Sequence, residues 1–216
     1  MGKKSLAVRD RARTMLAQEA ARIIIEQGIE DFRIAKNKAA ERLGLKNYGS
    51  LPRNTEIQTA ITEHLQLFGR ESHFDRQCAL RRSAVAAMEL LAPFEPRLVG
   101  PVLDGTAAAN SPINLHVFSD TVEMVGVKLE AVGLRYQIYE QRLKSRRGRC
   151  EAFPGYRFQQ GDLSIEATVF PINGMRQPPI SSINGRPMKR ANPAAVCKLL
   201  KTTSSASVIP NPIFNI

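Results

Sequence analysis

The sequence of 216 residues has no long hydrophobic run, and it has no tryptophan. Its tightest apolar cluster, Ile23 to Ile25, is far shorter than the roughly 18 apolar residues that a membrane-spanning helix needs. The first four residues lead into a charged segment without the apolar core of a signal peptide. We therefore expect a soluble, cytoplasmic protein with no membrane partner.

Potential metal ligands and disulfide partners are also scarce. The three cysteines, Cys78, Cys150 and Cys197, lie far apart and form no Cys-x-x-Cys pair, and the chain has only three histidines. Structural zinc sites use four cysteine or histidine ligands, typically in closely spaced pairs. The sequence therefore predicts neither a structural metal centre nor a disulfide framework.

Positive charge, by contrast, is abundant. Hydrophobic residues make up 43% of the chain and charged residues 24%, which is typical of a globular protein. The formal net charge is +11, and both sides of residue 92 carry an excess of cations, so a polyanion is a natural partner. The densest cationic run forms a candidate nucleic-acid contact, with a solvated hairpin as the alternative interpretation: Arg142, Lys144, Arg146, Arg147 and Arg149.

Apolar residues recur with a helical period in four segments of the first half, at about 5–27, 32–43, 54–68 and 72–91. Gly28 and Gly44 follow the first two segments, as glycine commonly does at the C-terminus of a helix. This pattern predicts a helical N-terminal region over residues 1–92.

The pattern changes at Pro93 and Pro96, because proline opposes a continuing helix. Short strands are predicted at 97–103, 113–118, 135–143, 149–159 and 163–170, with a helix at 120–132 and the last three strands in an antiparallel meander. A short helix is predicted near 193–201. The expected fold class is α+β, with a small mixed-sheet domain over residues 93–201 and a flexible C-terminal tail over 202–216.

The segment from Val99 to Phe118 carries a resemblance to a known family. A strand ends at Gly100, a short loop follows, and Ser111-Pro112-Ile113-Asn114-Leu115 opens a second strand. This arrangement resembles the core of the DNA polymerase beta-like nucleotidyltransferase superfamily over residues 97–170, and the whole chain looks like proteobacterial proteins described as nucleotidyltransferase-like. The resemblance implies a nucleotide-binding sheet with these candidate contacts: Gly100, Gly105, Thr106, Ser111 and Asn114.

Enzymes of that superfamily hold two Mg²⁺ ions about 4 Å apart with paired carboxylates, which occupy alternate positions of one strand and so lie on the same face. At the matching positions this chain has Pro112 and Asn114, and Pro101 replaces the serine of the first motif. The candidate catalytic acids that remain are Asp104, Asp120 and Glu166. The resemblance therefore implies a nucleotidyltransferase-like protein with a degenerate metal site that binds nucleotide or nucleic acid, with Mg²⁺ as a cofactor only if the protein is active.

Two other functions stay open at this point. An active Mg²⁺-dependent nucleotidyltransferase would use the three acids in unconventional positions, and His116, on the same face as Asn114, is either a general base or a structural residue. A DNA-binding regulator is suggested because residues 20–45 resemble the opening helices of tetracycline-repressor-like proteins. Gly28 and Gly44 are about two residues too far apart for that pattern, so two packed helices of a bundle are the alternative.

Overall fold

A computed structural model describes residues 2–29, 31–45, 51–68, 70–108, 110–145 and 148–206. The N-terminal helices precede a five-stranded mixed sheet, which confirms the predicted α+β class. In the described part of the chain, no helix is both long enough and apolar enough to cross a bilayer.

The four predicted N-terminal helices are α1 (Gly2–Gln27), α2 (Phe32–Arg42), α3 (Asn54–Phe68) and α4 (Arg70–Leu90). Buried side chains of α1, α2 and α3 form one hydrophobic core, with Leu16, Ile23 and Ile57 among its largest members. The buried face of α4, by contrast, belongs to a second core that it shares with the sheet. The helical half thus contributes to two separate cores.

The sheet contains β1 (Arg97–Val99), β2 (Ile113–Phe118), β3 (Tyr136–Lys144), β4 (Cys150–Gln160) and β5 (Leu163–Phe170), in the order β1-β2-β5-β4-β3. Strands β3, β4 and β5 form the predicted antiparallel meander, and β5 then pairs with β2 in parallel. Helix α6 (Glu123–Ala131) packs on the sheet and supplies Val125 and Leu129 to its core, as predicted for residues 120–132.

Two predicted element boundaries were wrong by four residues or more. Strand β1 ends at Val99 rather than at residue 103, because Gly100 adopts a φ of 71° and α5 (Gly100–Asp104) begins there. Pro101 suits this first turn, since it has a helical φ and needs no hydrogen-bond acceptor. Helix α7 (Pro193–Ala206) continues beyond its predicted end at residue 201, and residues 207–216 of the predicted tail lie outside the described residues.

The sheet has two unlike faces. Alternation along β2 directs Ile113, Leu115 and Val117 into the core, and directs Asn114 and His116 to the opposite face, which we call the open face.

Residues 171–191, which we call the strap, run past this open face from one edge of the sheet to the other. The strap donates a backbone hydrogen bond from Ile180 to the carbonyl of Lys144 in β3 (2.7 Å), and one from Ala191 to the carbonyl of Leu98 in β1 (2.9 Å).

Candidate functional site

The register of the sheet brings together three residues that the sequence analysis singled out. Asn114 in β2 is the direct partner of Glu166 in β5, and Val99 in β1 is the partner of Asn114 on the other side. A Cβ atom added to Gly100 would lie 3.3 Å from Nδ2 of Asn114. Gly100, Asn114 and Glu166 therefore form one small region of the open face, although they come from three separate segments.

The Glu166 carboxylate is paired with a cation. Arg157, its direct partner in β4, donates from Nε to Oε1 at 2.8 Å, and its Nη2 lies 2.7 Å from the same oxygen. The Glu166 side chain is only 15% exposed, whereas that of Arg157 is 44% exposed. At the position where the resemblance implies a metal-binding carboxylate, the structure thus has a neutralised ion pair with one exposed partner.

The other two candidate acids lie elsewhere. Asp120 follows the C-terminal end of β2, whereas Asn114 lies near its beginning, and Oδ1 of Asp120 accepts a hydrogen bond from the backbone of Ile172 at 3.0 Å. Asp104 ends α5, 4.0 Å from Nζ of Lys189, and burial raises the pKa of its carboxyl group. Among the described residues, no three His, Cys, Asp or Glu side chains are grouped so that they could hold a metal ion.

Three predicted nucleotide contacts instead hold a loop to its neighbours. The carbonyl of Gly105 lies 3.1 Å from Nε2 of His73, and the hydroxyl of Thr106 accepts a hydrogen bond from Gln58 at 2.9 Å. The hydroxyl of Ser111 accepts one from the backbone of Ala108 at 2.9 Å. The first two contacts hold the loop after α5 to α4 and α3, and the third lies within the loop.

Arg81 of α4 supports the C-terminal end of α5 next to this loop. Its guanidinium group donates to the carbonyls of Val102 at 3.2 Å and Leu103 at 3.3 Å. Such bonds satisfy carbonyl groups that have no partner inside the helix. Burial lowers the pKa of Arg81, which is nearly enclosed.

The environment of His116 favours a structural role over that of a general base. Its side chain is 2% exposed, and Nδ1 accepts a hydrogen bond from Nε of Arg190 at 2.9 Å. Burial, and secondarily the charge of Arg190, hold the pKa of His116 well below its usual range. The imidazole is therefore neutral at pH 7, with its proton on Nε2. Because Nδ1 already accepts the hydrogen bond from Arg190, neither ring nitrogen is available to accept a proton.

Arg190 fastens the strap to the sheet and was not singled out from the sequence. Its Nη1 donates to the carbonyls of Gly174 and Met175 at 2.8 and 3.1 Å, and its guanidinium carbon lies 5.0 and 4.8 Å from the ring centroids of Phe118 and Phe170. Burial, followed by the charge of Arg97, lowers the pKa of Arg190 to about 10, so it remains charged at neutral pH.

An aromatic and cationic surface lies on the open face beside Glu166. The guanidinium carbon of Arg157 is 5.4 Å from the ring centroid of Tyr139, and the hydroxyl of Tyr139 is hydrogen-bonded to Thr168 Oγ1 at 2.8 Å. Thr168 in turn donates to Gln141 at 2.7 Å. This network fixes the tyrosine ring between the arginine and the threonine, across the surface of β4.

The predicted basic cluster is only partly within the described residues. Arg142 is 77% exposed and lies 3.4 Å from Glu140, and Lys144 and Arg149 are also exposed. Arg146 and Arg147 lie outside the described residues. Alternation along β3 places Arg142 and Lys144 on the side of the hairpin opposite to Tyr139.

The strap adds cations that the sequence analysis did not single out. No aspartate or glutamate follows Glu166 in the sequence, whereas six lysine or arginine residues do. Three of them, Arg176, Arg186 and Lys189, are exposed on the strap. A count of acids along the sequence would have revealed this one-sided charge.

A comparison with protein-family models, curated proteins and solved structures finds no match.

Proposed function

We propose that this chain is a nucleotidyltransferase-like protein with a degenerate metal site, and that it binds single-stranded nucleic acid or nucleotide through its open face and strap. The observation that carries the proposal is the pairing of Glu166 with Arg157 beside the neutral Asn114. An ion pair with an exposed arginine occupies the place where a metal-dependent enzyme needs several unpaired carboxylates.

The residues in this region are unsuited to a Mg²⁺ site. Mg²⁺ demands near-octahedral oxygen coordination and is usually bound through carboxylates together with substrate phosphates. Here Pro112 offers no side-chain ligand, Asn114 is uncharged, and the carboxylate of Glu166 already accepts two contacts from Arg157. Binding of the cation would require this ion pair to break.

The same region is well suited to a nucleic acid. Bases stack on aromatic side chains irrespective of sequence, at about 1–3 kcal/mol per base, and arginine adds cation–π contacts. Tyr139 and Arg157 offer such a surface, and the strap, which runs past the same face of the sheet, carries three exposed cations that can contact phosphates. These features support a binding function that does not depend on metal.

Fluorescence anisotropy with a labelled single-stranded RNA, measured in EDTA and in excess Mg²⁺, tests the proposal. We expect the same affinity in both buffers, and we expect Tyr139→Leu and Arg157→Gln each to weaken binding by about 5- to 150-fold, the equivalent of one stacked base. Arg22→Gln is the control, because Arg22 is also paired with a glutamate but lies on α1. Absence of RNA binding, or binding and nucleotide transfer only with Mg²⁺, would overturn the proposal.

Calorimetry with Mg²⁺ tests the degenerate site separately. The unmodified protein should show no binding at millimolar Mg²⁺, whereas Pro112→Asp combined with Asn114→Asp and Arg157→Gln should create measurable affinity. In that variant two new carboxylates would share a face with an unpaired Glu166. Adding Glu166→Gln should abolish the new affinity, and millimolar or tighter binding by the unmodified protein would contradict the degenerate site.

A further inference from the structure

A cavity of about 380 Å³ lies between the strap and the β3–β4 hairpin. This volume is within the range of small-molecule sites, roughly 300–1,000 Å³. Phe170 and Pro179 line it on the sheet and strap sides, and Ser145 and Glu151 line it from the hairpin. The cavity is separate from the Asn114 and Glu166 region and contains none of the candidate residues from the sequence analysis.

The apolar walls of the cavity suit a planar ring. Phe153 and Phe170 have ring centroids 4.4 Å apart with an interplanar angle of 34°, and Phe170 also contacts Arg190 and His116. Phe153 is only half-buried, so part of its ring remains available for contact. Pro179, which is buried, stiffens the strap on the other side because its φ is fixed.

Two polar groups of the cavity have no partner among the described residues. The hydroxyl oxygen of Ser145 is buried and makes no hydrogen bond within the described chain. The Glu151 carboxylate is exposed and makes no ion pair or side-chain hydrogen bond with any residue that the structure describes. An unsatisfied buried hydroxyl is unusual in native proteins, and a ligand that supplies its partner would remove the cost of its desolvation.

We propose that this cavity binds a nucleobase, and that Glu151 selects guanine. A carboxylate accepts two parallel hydrogen bonds, and among the four bases only guanine presents two adjacent N–H donors on its Watson–Crick edge. Adenine and cytosine place an acceptor beside their donor, and uracil places its single N–H between two carbonyl groups. The hydroxyl of Ser145 supplies a further contact to the base, while Phe153 contacts its face.

This inference rests on the proposed function, since it assigns the base-recognition part of the same nucleic-acid interface. Isothermal titration calorimetry with the four nucleoside 5′-monophosphates tests it on the full chain. The guanine nucleotide should bind at least about tenfold more tightly than the others, and Glu151→Gln should reduce its affinity by about 10- to 100-fold, as expected for hydrogen bonds to a charged group. Ser145→Ala should weaken binding of the guanine nucleotide to a smaller extent.

Glu140→Gln is the matched control, because Glu140 is an exposed carboxylate of the same hairpin that points to the other face of the sheet. It should leave the guanine preference unchanged. Equal affinity for all four nucleotides, or a preference that Glu151→Gln does not alter, would overturn the inference while RNA binding through the open face stays intact. Failure of the unmodified protein to bind any oligonucleotide or nucleotide would overturn the proposed function itself.

Discussion

At the scale of single residues, the open face depends on a glycine beneath an aromatic ring. Gly155 in β4 is the direct partner of Tyr139 in β3, and the tyrosine ring lies over it. A Cβ atom at position 155 would come within 2.6 Å of Cε1 and 2.7 Å of Oη of Tyr139. Glycine is therefore required here to let the ring lie against the strand and reach Thr168.

Gly155→Ala should therefore lower the free energy of unfolding by about 1–3 kcal/mol, the usual cost of overpacking. Urea denaturation measures the change. Gly174→Ala is the control, because a Cβ atom there would meet its nearest neighbour, Phe170, at an ordinary 3.5 Å. If Gly155→Ala were no more destabilising than Gly174→Ala, or if adding Tyr139→Ala did not relieve its effect, the described packing would be wrong.

The buried histidine makes stability depend on pH. Its folded-state pKa is lowered, so below the unfolded value of about 6.5 the unfolded chain binds a proton that the native protein does not. The contribution of His116 to the free energy of unfolding should therefore fall, as the pH drops below about 6.5, by about 1.4 kcal/mol per pH unit until the folded pKa is reached.

Denaturation curves between pH 5 and pH 7 test this point. His116→Asn keeps an oxygen acceptor for Nε of Arg190 but does not titrate, so its stability should depend less steeply on pH. An identical pH dependence in the two proteins would show that the imidazole is not held neutral.

At the scale of elements, the side chain of Arg190 helps to hold the strap against the sheet. Arg190 joins His116 to the carbonyls of Gly174 and Met175, and hydrogen bonds to charged groups are worth about 1.5–3 kcal/mol each. Arg190→Gln should therefore loosen the strap without unfolding the sheet. Trypsin should then cleave more rapidly at Arg176, which lies within the strap.

Lys189→Gln provides the comparison for this experiment. Lys189 is adjacent in sequence, but its side chain is 82% exposed and its contact with Asp104 spans 4.0 Å. Exposed pairs of this kind contribute about 0–1 kcal/mol, so cleavage at Arg176 should change little. Equal protection of the strap in the Arg190 variant and the unmodified protein would contradict the role assigned to Arg190.

Local patterns predicted most of the elements, and long-range contacts account for what they missed. The four N-terminal helices and the meander have clear periodicity, so they could be predicted from the sequence. The sequence of the strap shows neither helical nor strand periodicity. Its conformation is fixed by hydrogen bonds to distant residues such as Lys144 and Leu98. Its course could not be inferred locally.

The surroundings of Glu166 could be predicted only in part from the sequence. Gly161 and Asp162 form the turn between β4 and β5, and Gln160 pairs with Leu163 across it. A two-residue turn fixes the register of a hairpin, so the sequence contains enough information to place Arg157 opposite Glu166. The pairing of Asn114 with Glu166, in contrast, requires the parallel contact between β2 and β5, which no local turn specifies.

At the scale of the whole molecule, the proposed function depends on the positive net charge and on where the fold places the cations. The net charge of +11 was evident from the sequence, and three of the exposed cations lie on the strap, which runs past the open face. The core of α1, α2 and α3 is separate from that of the sheet, so cations on those helices offer a comparison of equal charge at another location.

The salt dependence of single-stranded RNA affinity, measured in EDTA, shows whether cations of the strap contact the RNA phosphates. Each neutralised phosphate contributes about 0.7 to the slope of log affinity against log salt. Replacing the three exposed strap cations with glutamine should reduce the magnitude of this slope by about two units. If the hairpin cluster also contacts phosphates, replacing Arg146, Arg147 and Arg149 with alanine should reduce the slope by a similar amount.

The control variant carries glutamine at Arg11, Arg22 and Arg33, which are exposed cations of α1 and α2. We expect an unchanged slope in this control and a slope reduced by about two units in the strap variant. Binding through the open face and strap would be wrong if the strap variant had the same slope as the unmodified protein. It would also be wrong if the slope fell as far in the control variant as in the strap variant.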